Sequence, residues 1–158
     1  MYQKILLLVL FGRFLVPGLR QVSGVSIFTA HEVEAVNGTD VNLKCRFTSL
    51  AAVSQFLSIS WSFQPKGERQ QAIFHYNKRP YPATVGQFRK RVVWSGDVNN
   101  NDASITLRQV TPDFDGSYTC KVLNPPDVHG RVGEVILRVV NKTSSFEWFL
   151  TLYDMMGV

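Results

Sequence analysis

Few residues in this chain have the type and spacing that catalysis or metal binding requires. The three histidines, His31, His75 and His129, lie far apart in the sequence, and none has a second ligand at a spacing typical of a metal site. No serine or cysteine forms a recognisable pattern with a histidine and an acid, as nucleophilic catalysis requires. The sequence therefore predicts a protein that is not an enzyme, with no catalytic residue, metal or cofactor.

Cys45 and Cys120 are the two cysteines of the chain, and they could form a disulfide. An even number of cysteines in a secreted protein predicts a disulfide, whereas in a cytosolic protein two buried free thiols are the alternative. Secretion is favoured by residues 1–24, where Lys4 precedes an apolar run and small residues precede Gly24. This pattern predicts a signal peptide cleaved after Gly24. The apolar run is too short for a signal anchor.

The basic charge of the chain is concentrated in this predicted leader. Three of the 17 basic residues, and none of the 12 acidic residues, lie in the first 24, so the remainder carries a net charge of only +2. A small excess of this kind does not indicate a nucleic-acid partner. Nothing in the sequence indicates a small-molecule substrate.

Apolar and polar residues alternate in several segments that turn residues separate. The alternating segments are 41–47, 57–63, 103–107, 118–122 and 135–139. A period of two predicts a strand with one buried and one polar face, and many short strands predict an antiparallel sandwich or barrel. The sequence therefore predicts an all-β protein in which residues 25–141 form one domain.

The order Cys45, Trp61, Tyr118, Cys120 makes the prediction more specific. Both cysteines and Trp61 occupy inward positions of separate predicted strands, and Tyr118 could donate a hydrogen bond back to the turn at 113–115. This set resembles an immunoglobulin sandwich with Trp61 and Tyr118 in its core. The separation of Trp61 from Tyr118 leaves room for the extra C′ and C″ strands of the V type, predicted at 72–77 and 79–83.

Four longer stretches resemble the myelin protein zero family, and most of all its zero-like members, which include the epithelial V-like antigen. These stretches are EAVNGTDVNLKC (34–45), IFHYN (73–77), YPATVGQFRKRVVWSGDVNNNDASITL (81–107) and NPPDVHGRVGEV (124–135). The resemblance covers roughly residues 25–140. It implies a V-type, two-sheet Greek-key sandwich that acts in cell adhesion. An antigen-receptor variable domain is disfavoured, because no joining-type Gly-x-Gly follows Cys120.

The resemblance also implies roles for individual residues. The segment DFDGSYTC (113–120) resembles the Asp-x-Gly-x-Tyr-x-Cys motif of V domains, which implies an ion pair between Asp115 and Arg91. Asn37 and Asn141 begin Asn-x-Thr glycosylation acceptors, and N-glycans are therefore expected. At Asn37 the Asn-Gly pair is equally typical of a tight turn.

Adhesion in this family often uses the sheet formed by strands G, F, C and C′. On strand C the polar residues of 58–64 face outward, and C′ adds aromatic residues of the kind found at interfaces. The predicted partner-binding residues are Phe74, His75, Tyr76, Lys121 and Leu123. Since strands alternate, half of the C′ aromatic residues could instead pack inward.

The predicted function is cell–cell contact through a protein partner, either the same protein or a related immunoglobulin-type surface protein. The alternative is a secreted, soluble form that competes with an anchored relative for the same partner. Family members cross the plasma membrane once, but in the tail 142–158 only the six residues 148–153 separate Glu147 from Asp154. About 20 apolar residues are needed to span a bilayer. The sequence therefore predicts entry into the secretory pathway and a loosely packed tail without a complete span.

Overall fold

The computed structural model describes residues 24–127, 132–141 and 152–157. In chain order, its strands are β1 Ser26–Thr29, β2 Glu32–Val36, β3 Val41–Leu43, β4 Cys45–Thr48, β5 Ser58–Gln64, β6 Gln71–Asn77, β7 Arg79–Pro82, β8 Val92–Trp94, β9 Ile105–Leu107, β10 Gly116–Leu123 and β11 Gly133–Val140. Short 3₁₀ helices occur at Val98–Asn100 and Pro112–Phe114. Residues 152–155 form one α-helical turn.

The strands form the two layers that the alternating pattern predicts. One layer is a six-stranded sheet in the order β2-β11-β10-β5-β6-β7, and the other contains the two-stranded sheet β1-β4 and the three-stranded sheet β3-β9-β8. Strand β2 runs parallel to β11, whereas the other pairs are antiparallel. The predicted strands G, F, C, C′ and C″ correspond to β11, β10, β5, β6 and β7. The all-β sandwich predicted from the sequence is confirmed.

A disulfide and a buried tryptophan join the two layers. Cys45 of β4 and Cys120 of β10 are bonded, with an S–S distance of 2.11 Å, and both side chains are fully buried. Trp61 of β5 is also buried, and its Nε1–H donates to the carbonyl of Ala103 at 2.8 Å. Because this bond satisfies the indole N–H, the ring can occupy the apolar core without leaving a donor unpaired.

Tyr118 ties β10 to the turn that precedes it, as its spacing from Cys120 predicts. Its hydroxyl donates to the carbonyl of Phe114 at 2.6 Å, at the end of the 3₁₀ helix Pro112–Phe114. Burial, and to a lesser extent the charge of Asp115, raises the pKa of Tyr118. Both causes disfavour the phenolate, so the hydroxyl stays protonated and keeps this hydrogen bond.

The predicted ion pair between Arg91 and Asp115 is not formed, and the prediction is wrong. Counted back from Cys120, the motif places its aspartate at position 114, where this chain has Phe114, only 2% exposed. Asp115 lies one position further on, and its Oδ1 accepts from the backbone N–H of Val139 at 2.6 Å. Arg91 Nη1 donates instead to the carbonyl of Gln109 at 2.8 Å. Each charge therefore binds the backbone rather than the other.

Parts of the predicted domain organisation lie outside the described residues. These are residues 1–23 of the signal peptide and residues 142–151 and 158 of the tail. The cleavage site and the domain boundaries therefore stay predictions. Within the described residues, no helix is long and apolar enough to cross a membrane.

Candidate functional site

The outward side of the six-stranded sheet, called here the outer face, follows from the alternation of β5 and β10. In β5, Ile59, Trp61 and Phe63 are buried, so the intervening serines project to the other side. In β10 the same alternation directs Lys121 outward and leaves it exposed, and Leu123 is directed outward and half-buried. Lys121 and Leu123 therefore share a face, as the sequence predicts.

Strand register arranges the outer face in two neighbouring rows. The first, called the Tyr81 row, runs across four strands and consists of Lys121, Ser60, His75 and Tyr81. The second, called the Ala72 row, consists of Glu134, Thr119, Ser62 and Ala72. The centre of the outer face is shallow because serine, threonine and alanine form most of the second row.

Strand β6 presents His75 on this face but turns the two neighbouring aromatic residues inward. Phe74 is only 3% exposed, and Tyr76 is half-buried. Both stack on Trp94 of the opposite layer, with ring centroids 5.5 Å away from Phe74 and 4.9 Å away from Tyr76. The prediction that Phe74 contacts a partner is therefore wrong, because its ring is buried within the sandwich. For Tyr76, part of which remains exposed, partner contact stays a prediction.

An irregularity in the pairing of β5 with β6 explains this error. The register shifts between Trp61 and Ser62, so that Trp61 lies opposite Phe74 while Ser62 lies opposite Ala72. Ile73 is thereby left between two paired positions, and Ile73 and Phe74 are both buried. A bulge of this kind breaks the period of two, which is why counting along the sequence does not assign the outward residues of β6.

Tyr81 is a large, exposed aromatic residue on the outer face, and the sequence analysis did not predict it as a contact residue. It lies opposite His75 on the edge strand β7 and is 45% exposed. Arg79 Nε donates to the Tyr81 hydroxyl at 2.9 Å, and the guanidinium carbon lies 5.0 Å from the ring centroid. The ring is thus oriented by its own strand. The available sequence signal was a tyrosine two residues after an arginine in the predicted C″ strand.

An open groove of about 380 Å³ adjoins the Ala72 row below Tyr81. Its walls come from β6, β7 and the segment that follows β7, and they include Ala72, His75, Tyr81, Thr84 and Gly86. Ala72 is small and exposed, so it leaves the entrance to the groove open. The outer face therefore combines a projecting aromatic ring with a neighbouring depression.

Acidic residues lie at the other side of the outer face, on β11 and β2. Glu134 is exposed, and its Oε1 accepts from the hydroxyl of Ser117 at 2.9 Å. Glu32 lies 3.9 Å from Arg138 in an exposed ion pair. An exposed ion pair of this kind contributes little to stability, so the contact between Glu32 and Arg138 is not needed to hold the fold.

Asn124 organises the end of the sandwich where β10 ends, called here the upper end. Its side chain is 0% exposed and lies after the last residue of β10. The Nδ2 group donates to the carbonyls of Ala51 and Ala52 at 3.3 and 3.1 Å, and Oδ1 accepts from the N–H of Ser54 at 2.7 Å. One side chain therefore holds the loop that connects β4 with β5.

The potential glycosylation sites lie away from the two rows. Asn37 is exposed in the turn between β2 and β3, and its N–H donates to the carbonyl of Val140 at 2.7 Å. Asn141 is exposed directly after β11. Both therefore lie where β11 ends, called here the lower end, opposite to Asn124.

Comparison with known proteins agrees with this architecture. Residues 28–140 match the immunoglobulin V-set domain. The chain belongs to the immunoglobulin V-set family. The fold and the disulfide of the chain are those of an immunoglobulin V-set domain. The relatives that the chain matches are immunoglobulin-type proteins, not enzymes.

Several relatives confirm the resemblance to the myelin protein zero group. Over 118 residues, this V-set chain is 48% identical to myelin protein zero-like protein 2 of Mus musculus, covering 74% of the chain and 55% of the relative. Over 126 residues it is 38% identical to myelin protein P0 of Homo sapiens, covering 78% of the chain and 51% of the relative. The chain spans about half the length of the curated relatives it matches.

Proposed function

We propose that this V-set domain mediates adhesion by binding a second copy of itself through the outer face of its six-stranded sheet. The observation that carries the proposal is the combination of a shallow centre, formed by Ser60, Ser62 and Thr119, with the projecting Tyr81 beside it. Small side chains allow two sheets to approach closely, and aromatic side chains supply much of the binding energy at interfaces. The relation to the myelin protein zero group supports an adhesive role.

The position of the glycosylation acceptors is compatible with contact on this face. We propose that Asn37 and Asn141 carry N-glycans after passage through the secretory pathway. Both lie at the lower end, so their glycans leave the two rows accessible. In this arrangement the glycans shield the lower end, and the protein contact is restricted to the outer face.

A bead-clustering experiment with the full chain tests the proposal. Beads that carry the wild-type chain at high density should cluster, and Ser62→Arg should abolish clustering because it places a long charged side chain at the centre of the outer face. Val93→Arg is the matched control, since Val93 is 36% exposed on β8 of the other layer. Circular dichroism would establish that both variants are folded. Clustering that survives Ser62→Arg, or that Val93→Arg abolishes equally, would exclude this face.

The same contact would support the alternative function, in which a soluble form competes with an anchored one. We propose that purified chain, added in excess, inhibits the clustering of beads that carry the chain. Purified Ser62→Arg protein should not inhibit. Inhibition by both proteins would mean that competition does not use the outer face.

A further inference from the structure

We infer that two copies pair through their outer faces in opposite directions, about a two-fold axis that crosses the strands between the Tyr81 row and the Ala72 row. This inference rests on the proposed function and specifies its geometry. Two-fold contacts place a surface against itself, so that every contact between unlike residues occurs twice. The arrangement of large and small side chains on the outer face decides which two-fold axis fits.

The two rows differ in side-chain size on β10 and on β6, whereas β5 contributes a serine to each row. On β10, Lys121 belongs to the Tyr81 row, and the neighbouring outward position holds the smaller Thr119 of the Ala72 row. On β6, His75 is likewise neighboured by Ala72. Outward positions of one strand are about 7 Å apart. Each of these strands therefore has a large residue toward the upper end and a small one toward the lower end.

An axis that crosses the strands exchanges the two rows between the copies. His75 of one copy then lies over Ala72 of the other, and Lys121 lies over Thr119, so that large side chains meet small ones. An axis parallel to the strands would instead place each row against itself. The Tyr81 rows would then hold the sheets apart, and the small residues of the Ala72 row would make no contact.

Charge and shape at the two margins agree with the crossing axis. Glu134 ends the Ala72 row on β11, next to β10, which supplies Lys121 to the other row. Exchanging the rows brings Glu134 of each copy beside Lys121 of the other, which gives two symmetric ion pairs. At the opposite margin, Tyr81 of each copy lies over the groove beside Ala72 of the other. The groove thus receives an aromatic ring that is already oriented by Arg79.

The direction of the pairing has a consequence for adhesion. An axis that crosses the strands reverses them, so the end of β11 at Val140 points in opposite directions in the two copies. The upper end, which Asn124 organises, then lies toward the lower end of the other copy. This is the geometry of a contact between domains that extend from two opposed surfaces.

A charge exchange in the full chain tests the pairing. Glu134→Lys alone and Lys121→Glu alone should each weaken self-clustering of beads by about tenfold, because each sets two pairs of like charges together. The double variant Glu134→Lys, Lys121→Glu has the net charge of the wild type. It should cluster with itself but not with wild-type beads, in a two-colour assay. Lys44→Glu, exposed between β3 and β4 in the other layer, is the control for a change of charge.

The outcomes separate this inference from the proposed function. If wild-type beads do not cluster, both are overturned. If they cluster, and Ser62→Arg abolishes clustering while the double variant binds wild type as well as itself, the outer face is the contact surface but the crossing axis is wrong. Preferential clustering of the double variant with itself, with loss in each single variant, supports the crossing axis.

Discussion

The ring of Phe74 lies parallel to the ring of Trp94, with 5.5 Å between their centroids and 1° between their planes. Phe74 comes from β6 of the six-stranded sheet and Trp94 from β8 of the other layer, so the stack closes one side of the sandwich. Tyr76 adds a second ring to the same indole. Because Phe74 and Tyr76 are held inward, the residue between them, His75, is held outward.

Neighbouring substitutions in β6 should therefore have opposite effects on stability and adhesion. Phe74→Ala should lower the free energy of unfolding by about 3 kcal/mol, since it removes a buried aromatic ring. His75→Ala should change it by less than about 0.5 kcal/mol, because the side chain is exposed, but it should weaken bead clustering. Urea titration measures the first effect. Equal destabilisation by the two substitutions would contradict the orientation of β6.

Asn124→Ala should loosen the loop between β4 and β5 while leaving the sheets intact. The substitution leaves the carbonyls of Ala51 and Ala52 and the N–H of Ser54 without their partner. Unpaired polar groups in a protected site cost about 1–3 kcal/mol. Hydrogen exchange should accelerate in residues 49–57 but not in β10. Asn77→Ala, exposed at the end of β6, is the control, and equal acceleration in both variants would exclude the role of Asn124.

How much of this arrangement the sequence predicts depends on whether a strand is regular. Alternation in β5 and β10 is uninterrupted, so Trp61, Cys120 and the outward position of Lys121 could all be predicted. Strand β6 contains a register shift, and two adjacent buried residues, Ile73 and Phe74, make its outward face unreadable from a period of two. The register shift depends on pairing with β5, which no local pattern reveals.

Long-range contacts determine the roles of Asn124 and Tyr81, which the sequence analysis did not predict. Asn124 precedes two prolines, and this sequence is typical of a turn. The loop that its side chain binds, however, lies about 70 positions earlier in the chain. Tyr81 lies between two prolines, which are unfavourable in a central strand and typical of an edge. The edge position explains why this ring stays exposed, whereas the ring of Phe74 on β6 is buried. Both roles depend on neighbours that are distant in sequence.

The stability of the domain should fall in alkaline solution because of Tyr118. Its pKa is raised above the ordinary value of 10.0, so the folded state retains the proton more strongly than the unfolded chain. Stability is therefore fully present below pH 10 and decreases as the pH rises above 10, where the unfolded chain ionises first. Tyr118→Phe should be less stable by about 1–2 kcal/mol at pH 8, but it should lose less between pH 9 and 11. An identical alkaline loss in both proteins, measured by urea titration, would assign the effect to other groups.

Removing the disulfide should destabilise the domain strongly. Cys45 and Cys120 are separated by 75 positions, and closing a loop of this length restricts the unfolded chain. The double variant Cys45→Ala, Cys120→Ala should lose about 2–5 kcal/mol of unfolding free energy. Thermal unfolding of wild type and variant measures the difference. A loss below about 1 kcal/mol would mean that packing around Trp61, rather than the bond, holds the two layers together.

Glycans placed on different surfaces should separate the contact face from the rest of the domain. Asn37→Gln should remove a glycan at the lower end, seen as increased electrophoretic mobility, and should leave bead clustering unchanged. Ser117→Asn creates an acceptor that ends at Thr119, on the outer face of β10. The bulky, hydrated glycan should prevent two outer faces from meeting, so clustering should be lost. Ser117→Gln is the matched control, because it removes the same hydrogen bond to Glu134 without adding a glycan. Clustering that persists with a glycan at position 117 would exclude the outer face, whereas equal loss in the control would assign the effect to the serine itself.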